Sequence, residues 1–551
     1  MTIFNSKKKI FISLLLTVFI FIIIGASNSD TYRSIAKSQR ILNEVYKHLI
    51  VNYADELNME TFTKTSINKM LSDLDPYTVY LESEERDGLD LLTRGKYGGV
   101  GIQLGKRDDL LTVISPMDDS PAQRAGILSG DVIIKIDEKK TKDLNLNEAA
   151  KLIRGRKGTN VVLTIKRLGE DESIDFHLTR ADIKVHDVPY AEMIDENTGY
   201  IVLSRFSKNA SQEMESALRS LMDQNMENLI LDLRNNPGGL LSSAIEILEL
   251  IVPKGEKLLT TKGRNKDSNR EFISKKNPIL DENIKIAVLI NEGSASASEI
   301  VSGVIQDLDR GIIIGKNSFG KGLVQSIFRI DKKRSLKVTT AKYYIPSGRL
   351  IQKPNYLNED VIVSKADKDT VFTTKAGRSV KGGGGIYPDF VIDDTKVGPL
   401  TRECWRKSYF FSFARDNKNK YSTMDDVLNE TNMMILFSDY LSEKDLDVKI
   451  DGQIQFEESV EKLKKYDENN AKLNDAFKSI KEFIQDQTES LFEAEYSDLE
   501  NGVYSNFAQI YGGNKGRIHF NIQHDDFIEK ANEMLHNPIA YTETFQSISD
   551  N

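Results

Sequence analysis

Asn291-Glu292-Gly293-Ser294-Ala295-Ser296-Ala297-Ser298-Glu299 joins an apolar β-type run, Lys285–Ile290, to a helix-like stretch, Ala297–Leu308. A serine at such a junction stands at a sheet edge, where helix N–H groups can stabilise an oxyanion. Ser296-x-x-Glu299 also satisfies a capping box, in which the serine only caps the helix. Taken alone, the stretch leaves both readings open. Outward from it the same pattern recurs. Leu229–Leu233 leads into Leu240–Ile251, and Gly311–Gly315 is a third apolar run. Strands alternating with helices argue for crossover connections and a sheet covered on its faces.

A second segment bears on the serine: Gly315-Lys316-Asn317-Ser318-Phe319-Gly320-Lys321-Gly322-Leu323-Val324-Gln325. If the chain after Gly320 is extended, Lys321, Leu323 and Gln325 point to one face. A lysine flanked by glycines can approach closely, and the glutamine amide can hold its amine. Lysine serves serine as a general base only when neutral, and burial favours that form by disfavouring the ammonium. None of the six histidines (48, 177, 186, 519, 524, 536) lies within a hundred residues of Ser296, so nothing local suggests a histidine triad. Gly315-x-x-x-x-Gly320-Lys321 meets most of a phosphate-binding P-loop, but Gly322 stands where Ser or Thr must hold magnesium, and LVQSIF alternates like a strand.

Before the α/β block, residues 97–180 are β-rich. The order is Gly98-Gly99-Val100-Gly101-Ile102, Asp119-Ser120-Pro121-Ala122, Ala125-Gly126-Ile127, Gly130-Asp131-Val132-Ile133, then a helix near Leu146–Ile153. This block resembles a PDZ domain. Gly99 and Gly101 would let backbone N–H groups, with that of Val100 between them, converge on a carboxylate. Ile102–Leu104 would be the strand edge to which a peptide C-terminus adds.

GSASASE, the FGKGLVQ segment and the loop Asp232-Leu233-Arg234-Asn235-Asn236-Pro237-Gly238-Gly239 together resemble the carboxyl-terminal processing (tail-specific) serine peptidases. The PDZ-like block and Leu74-Asp75-Pro76-Tyr77 fit the same family, over roughly residues 35–397. The resemblance implies Ser296 as nucleophile, Lys321 as general base and Gln325 as the residue orienting the lysine. It implies an oxyanion hole from the Ala297 N–H and one from Gly238 or Gly239, a ClpP/crotonase-type α/β core, and no metal or cofactor. Asp232 and Arg234 are expected to brace their loop. An inert, membrane-tethered PDZ scaffold is the non-enzymatic alternative, and it would not require the Ser296–Lys321–Gln325 set.

The 551 residues exceed a single core and suggest three or four units. With 39% hydrophobic and 28% charged residues the chain is neither a multi-span membrane protein nor wholly disordered. The expected order is a signal or anchor segment (1–29), an N-terminal helical domain (30–94), the PDZ-like domain (95–181), the peptidase core (182–397) and a helical C-terminal extension (398–551). The net charge is −9, and Thr401–Asn551 alone carries 17 Lys+Arg against 29 Asp+Glu. No segment is strongly basic, so a nucleic-acid partner has no electrostatic footprint. The single Cys404 excludes intramolecular disulfides and cysteine-rich metal sites.

Lys7–Lys9 precede the uncharged run Ile10–Ala26. As a helix it spans about 26 Å, close to the hydrocarbon thickness of a bilayer. The lysines should remain cytoplasmic, exporting all that follows. The run reads as a retained inner-membrane anchor facing a bacterial periplasm, with a cleaved secretory signal as the alternative. Expected partners are protein substrates presenting unstructured C-terminal tails, and an adaptor protein.

Overall fold

The computed structural model describes residues 32–82, 95–107, 109–354, 371–392, 397–444, 446–466 and 471–546. The apolar run Ile10–Ala26 lies outside them. Among the described residues no helix is long and apolar enough to cross a membrane. The order expected from the sequence is the order found: a helical start, a β-rich block, an α/β block and a helical end.

These residues divide into two compact units, the first ending at Tyr80. In that first unit α1 spans residues 32–52 and α2 spans Met59–Ser72. Asn58 caps α2 by accepting from the Thr61 N–H at 3.0 Å. The Tyr46 hydroxyl lies 2.6 Å from Thr63 Oγ1, and its ring packs on Phe62. At Leu74-Asp75-Pro76-Tyr77 the Asp75 carboxylate takes the Tyr77 and Thr78 N–H groups at 2.8 and 2.9 Å. That turn, with the adjoining proline, replaces the helical ladder.

The second unit begins with the β-rich block: β1 (Lys96–Gly99), β2 (Ile102–Arg107), β3 (Leu110–Pro116), β4 (Val132–Ile136), α3 (Leu146–Ile153), β5 (Asn160–Lys166), β6 (Ile174–Thr179) and β7 (Ala181–Lys184). The sheet order is β2-β3-β4-β5-β6, which leaves β2 at an edge beside α3, while β1 pairs with β7. Alternating residues of β5, Val161, Leu163 and Ile165, point into the core as a half-buried strand requires.

The α/β block contains β8 (Tyr190–Met193), β9 (Thr198–Val202), α4 (Ala210–Met222), β10 (Asn228–Asp232), α5 (Leu241–Ile251), β11 (Lys257–Lys262), β12 (Arg270–Ile273), β13 (Lys285–Ile290), α6 (Ala297–Asp307), β14 (Ile312–Gly315), β15 (Leu323–Arg329), β16 (Ser335–Tyr344) and β17 (Phe390–Val391). The main sheet runs β8-β9-β10-β13-β14-β17, parallel from β9 onward. Strands β10 and β14 are buried at every position, as parallel strands covered on both faces should be. Helix α6 is buried all round, its polar residues Ser298, Glu299, Ser302, Gln306 and Asp307 included. In a second, antiparallel sheet β16 pairs with β15 and, at its C-terminal end, with β11, which carries β12.

The helical end includes α7 (Pro399–Lys407), α8 (Tyr409–Asn417), α9 (Met433–Ser442), α10 (Tyr496–Ile522), α11 (Asp526–His536) and α12 (Pro538–Glu543), with further helices between α9 and α10. Its aromatic core, with Phe410, Phe413, Phe437 and Phe507, also takes in Ile114 of β3. The last two helices belong instead to the main sheet. Ile528, Ala531, Met534, Leu535 and Tyr541 cover the face opposite α4, α5 and α6. The Tyr541 hydroxyl bonds the Ile286 backbone at 3.0 and 3.1 Å, and Lys285 Nζ donates to the Leu535 carbonyl at 2.6 Å. Each large apolar side chain buried there contributes roughly 1.5–3 kcal/mol.

Candidate active site

The strand β13 ends at Ile290 and α6 begins at Ala297, so Ser296 is the last residue before the helix. Its φ is 56° and its ψ −109°, a left-handed conformation that a residue with a Cβ adopts at a cost of about 1–3 kcal/mol. The Ser296–Glu299 capping box is formed, but a helix N-cap ordinarily has extended dihedrals, so capping alone does not account for this turn. Strained strand-to-helix turns of this kind hold a serine hydroxyl proud of an α/β sheet. The neighbouring serines are fully buried and occupied: Ser294 Oγ donates to the Leu233 carbonyl and Ser298 Oγ to that of Asn236, each at 2.8 Å. Ser296 is partly exposed.

Glu299 does more than close a capping box. Fully buried, its carboxylate accepts the Ser296 N–H at 2.8 Å, the Ser318 hydroxyl at 2.5 Å, the Gly320 N–H at 2.6 Å and the Lys321 N–H at 2.8 Å. Burial pushes its pKa above the ordinary value, and these four donors pull it back. Tyr343, buried in β16, has its hydroxyl bonded to the Lys321 carbonyl and 3.2 Å from that of Ser296. The lysine's backbone is thus held at both its N–H and its C=O. The Gly322 N–H next to it donates to Gln352 Oε1 at 2.8 Å. Lys321 itself is partly buried.

Lys321 and Gly322 precede the strand; β15 starts at Leu323, whose side chain is buried. Gln325 sits two residues on, where a register shift opposes it to Thr339, and its Nε2 lies 3.4 Å from Thr339 Oγ1.

The glycine loop after β10 lies directly against the serine. A Cβ on Gly238, whose φ is +91°, would fall 2.6 Å from the Ala295 carbonyl oxygen, 2.9 Å from the Ala297 nitrogen and 3.0 Å from Ser296 Cβ. Only glycine allows that approach. The Gly238 N–H donates to Asn236 Oδ1 at 2.9 Å. Asn236 also donates to the Leu203 carbonyl at 2.6 Å, and its own carbonyl takes the Ala295 N–H at 3.0 Å. Among the described residues the N–H groups of Gly239 and Ala297 meet no acceptor. Two unpaired amides beside a strained serine, one of them at a helix N-terminus, can receive an oxyanion.

Asp232 and Arg234 brace the loop. Arg234 chelates Asp232 and reaches Asp525 at 2.8–2.9 Å, while the Tyr200 hydroxyl donates to Asp232 at 2.7 Å.

In the β-rich block, Val100, Gly101 and Ile102 line a groove of about 290 Å³ between β2 and α3. Gly99 lies in β1, opposite Ala181. Gly101 has φ +78°, and a Cβ there would meet Ser120 Cβ at 2.2 Å. Arg154, at the end of α3, also lines the groove and stacks its guanidinium 4.9 Å from the Tyr97 ring centroid. Burial raises the Tyr97 pKa, and the Arg154 charge pulls it back.

Sequence reasoning missed Glu299 as a clamp, Tyr343, Asn236 and Arg154. Glu299 and Asn236 stood within the quoted motifs. Tyr343 carried no local signal, because its contacts span 47 and 22 residues.

Comparison with known proteins places these pieces. The profile of peptidase family S41 matches residues 197–363, that of the PDZ domain residues 98–178, and that of a "Probable PDZ-protease, C-terminal helical domain" residues 400–535. The chain is 37% identical over 360 residues to the carboxy-terminal-processing protease of Bartonella bacilliformis, covering 65% of this chain and 81% of that one. It is 35% identical over 353 residues to the carboxyl-terminal-processing protease of Synechocystis sp., covering 61% and 81%. With the carboxy-terminal processing protease CtpA of Bacillus subtilis it shares 34% identity over 313 residues, covering 57% and 66%.

Proposed function

The chain belongs to the carboxy-terminal-processing proteases, serine peptidases of family S41 with a PDZ domain, and from that premise we propose that Ser296 and Lys321 form its catalytic dyad. The reading rests on one observation above all. Ser296, in a left-handed turn at the mouth of α6, and Lys321 donate their amides to one carboxylate oxygen, Oε2 of Glu299.

The neutral amine of Lys321 removes the Ser296 proton as the hydroxyl attacks the scissile carbonyl. The oxyanion is received by the Ala297 and Gly239 amides, since that of Gly238 is engaged by Asn236. Losing one such donor typically costs about 3–4 kcal/mol in the transition state. The protonated lysine then returns its proton to the leaving amine, and water resolves the acyl-enzyme by the same route. Gln325, close behind the lysine on β15, is the proposed orienting residue. Serine and lysine supply nucleophile and base without metal or cofactor.

The PDZ groove, with Val100, Gly101 and Ile102 on one wall, captures an unstructured C-terminal tail as an added strand, and Gly99 shapes the turn leading to it. Tethering capture to catalysis raises the effective substrate concentration at Ser296, so a weak tail contact suffices. The substrates are exported proteins of a bacterial envelope, met in the periplasm, with Ile10–Ala26 as inner-membrane anchor or cleaved signal and an adaptor as an additional partner.

Mass spectrometry of a disordered test protein digested by wild type, Ser296→Ala and Lys321→Ala tests the dyad. Both variants should lose cleavage while retaining tail binding. Cleavage by Lys321→Ala at the wild-type rate near neutral pH would overturn the assignment.

A further inference from the structure

A cavity of about 480 Å³ opens where β9, β10, β13 and β14 end, against the second half of α10. Neither Ser296, Gly238, Gly239 nor Lys321 lines it. Its volume suits a small molecule, and strand C-termini of open α/β sheets are where such molecules settle.

The charges around it are unevenly satisfied. Asp232 and Asp525 are both held by Arg234, and Asp525 also caps α11 through the Phe527 and Ile528 amides. Glu292 is mostly exposed and stands 3.9 Å from Lys316. Arg517, on α10, is different. It lines the cavity, its Nε is buried without a partner, and no hydrogen bond or carboxylate among the described residues reaches its guanidinium. Burial alone lowers its pKa, with no carboxylate raising it back. Asn514 and Asn521, three residues before and four after it, share its helix face and also line the cavity. Their side-chain amides make no hydrogen bond among the described residues.

A partly buried guanidinium without counter-charge is unfavourable, and its forked donors match a carboxylate or phosphate group. We propose that this cavity binds a small oxyanion, with Arg517 as the forked donor, Asn514 and Asn521 as amide donors, and Lys316 at the rim. Beneath it lie Asn235 and Asn291, which bond each other at 2.9 and 3.1 Å and tie the glycine loop to the serine loop. An occupant therefore rests on the pair that joins the two halves of the candidate active site.

The test is binding to the full-length Ser296→Ala chain, so its outcome is independent of the peptidase reading. Inorganic phosphate and acetate are titrated against chloride at matched ionic strength, followed by thermal unfolding and, for phosphate, by ³¹P line width. A saturable rise in the unfolding midpoint beyond that with chloride is expected. Arg517→Gln should weaken the affinity at least about tenfold and, without added anion, unfold at a higher temperature. Competition by a peptide with a free C-terminus, and not by its amide, would assign the oxyanion to a substrate tail; absence of competition, to a free small anion. Either upholds the site. Equal effects of phosphate, acetate and chloride on the parent chain would overturn it, whether or not Arg517→Gln folds. Unchanged affinity in a folded Arg517→Gln would overturn it equally.

Discussion

The amide nitrogens of Ser296 and Lys321 each lie 2.8 Å from the same atom, Oε2 of Glu299, and so no further from one another than twice that distance. The two residues are separated by a helix and a strand, yet one buried carboxylate sets the spacing of their backbones. The other oxygen, Oε1, holds Ser318 and Gly320 of the lysine loop.

Glu299→Gln turns part of that acceptor into a donor and sets it against amides that also donate. Leaving a buried donor unsatisfied costs about 1–3 kcal/mol, and here the cost falls on the geometry of the proposed dyad. Steady-state kinetics should show kcat reduced about 100-fold or more with KM within a fewfold, while far-ultraviolet circular dichroism stays native. An unchanged kcat would remove Glu299 from the machinery.

Gly238→Ala forces a Cβ against the Ala295 carbonyl and Ser296 Cβ. We expect cleavage to fall about 100-fold, since the substitution displaces both the proposed nucleophile and the oxyanion loop. Gly126→Ala is the control: its φ is +82°, but no atom lies within 4 Å of the added Cβ. That variant should lose about 1 kcal/mol of stability and keep its kcat. Equal losses of activity in the two would point to general destabilisation.

Arg154 lines the groove beside Val100, Gly101 and Ile102 and offers a fixed positive fork at one end of it. Fluorescence anisotropy with a labelled tail peptide on the Ser296→Ala chain should show about tenfold weaker binding after Arg154→Ala. The amidated peptide should bind both forms alike. A free-acid preference that survives the substitution would place carboxylate recognition elsewhere.

Asp187 lies in the segment between β7 and the α/β block, fully buried, and accepts the Ser207 hydroxyl. Burial raises its pKa from 3.8 to about 6, against the hydrogen bond from Ser207. Between these values the folded chain keeps a proton that the unfolded chain has released. Its contribution is therefore most favourable below about pH 4 and is lost as pH rises toward 6, by up to about 3 kcal/mol. Denaturant midpoints measured from pH 4 to 7 should carry this downward component, and Asp187→Asn should remove it.

Leu535, fully buried in α11, packs on the second face of the main sheet. Leu535→Ala should destabilise the α/β block by about 2–5 kcal/mol, as read by chemical denaturation. A loss below 0.5 kcal/mol would mean that the sheet does not depend on this cover.

The residues proposed for the chemistry could be nominated because each sits in a short motif. Ser296, Lys321 and the Gly238–Gly239 pair are marked by glycines and small residues at strand ends, where backbone geometry is a local matter. Val100, Gly101 and Ile102 were nominated by their glycine-rich stretch and the block's resemblance to a PDZ domain, and they line the groove beside α3. Less legible was the division of labour within a motif. The proposal of Gly239 over Gly238 as oxyanion donor rests on Asn236, whose side chain takes the Gly238 amide. Glu299 looked like a helix cap because its partners at Ser318, Gly320 and Lys321 arrive from another loop.

By itself the sequence determined which residue types stand at which strand ends, the order of the domains and the family to which the chain belongs. Only the tertiary structure decided that Glu299 and Tyr343 join the serine and lysine loops, and that the final helices complete the main sheet. The reason is physical. Motifs record short-range backbone constraints, whereas these contacts bridge from about 20 to 255 residues and arise only when apolar faces far apart in the chain are buried together.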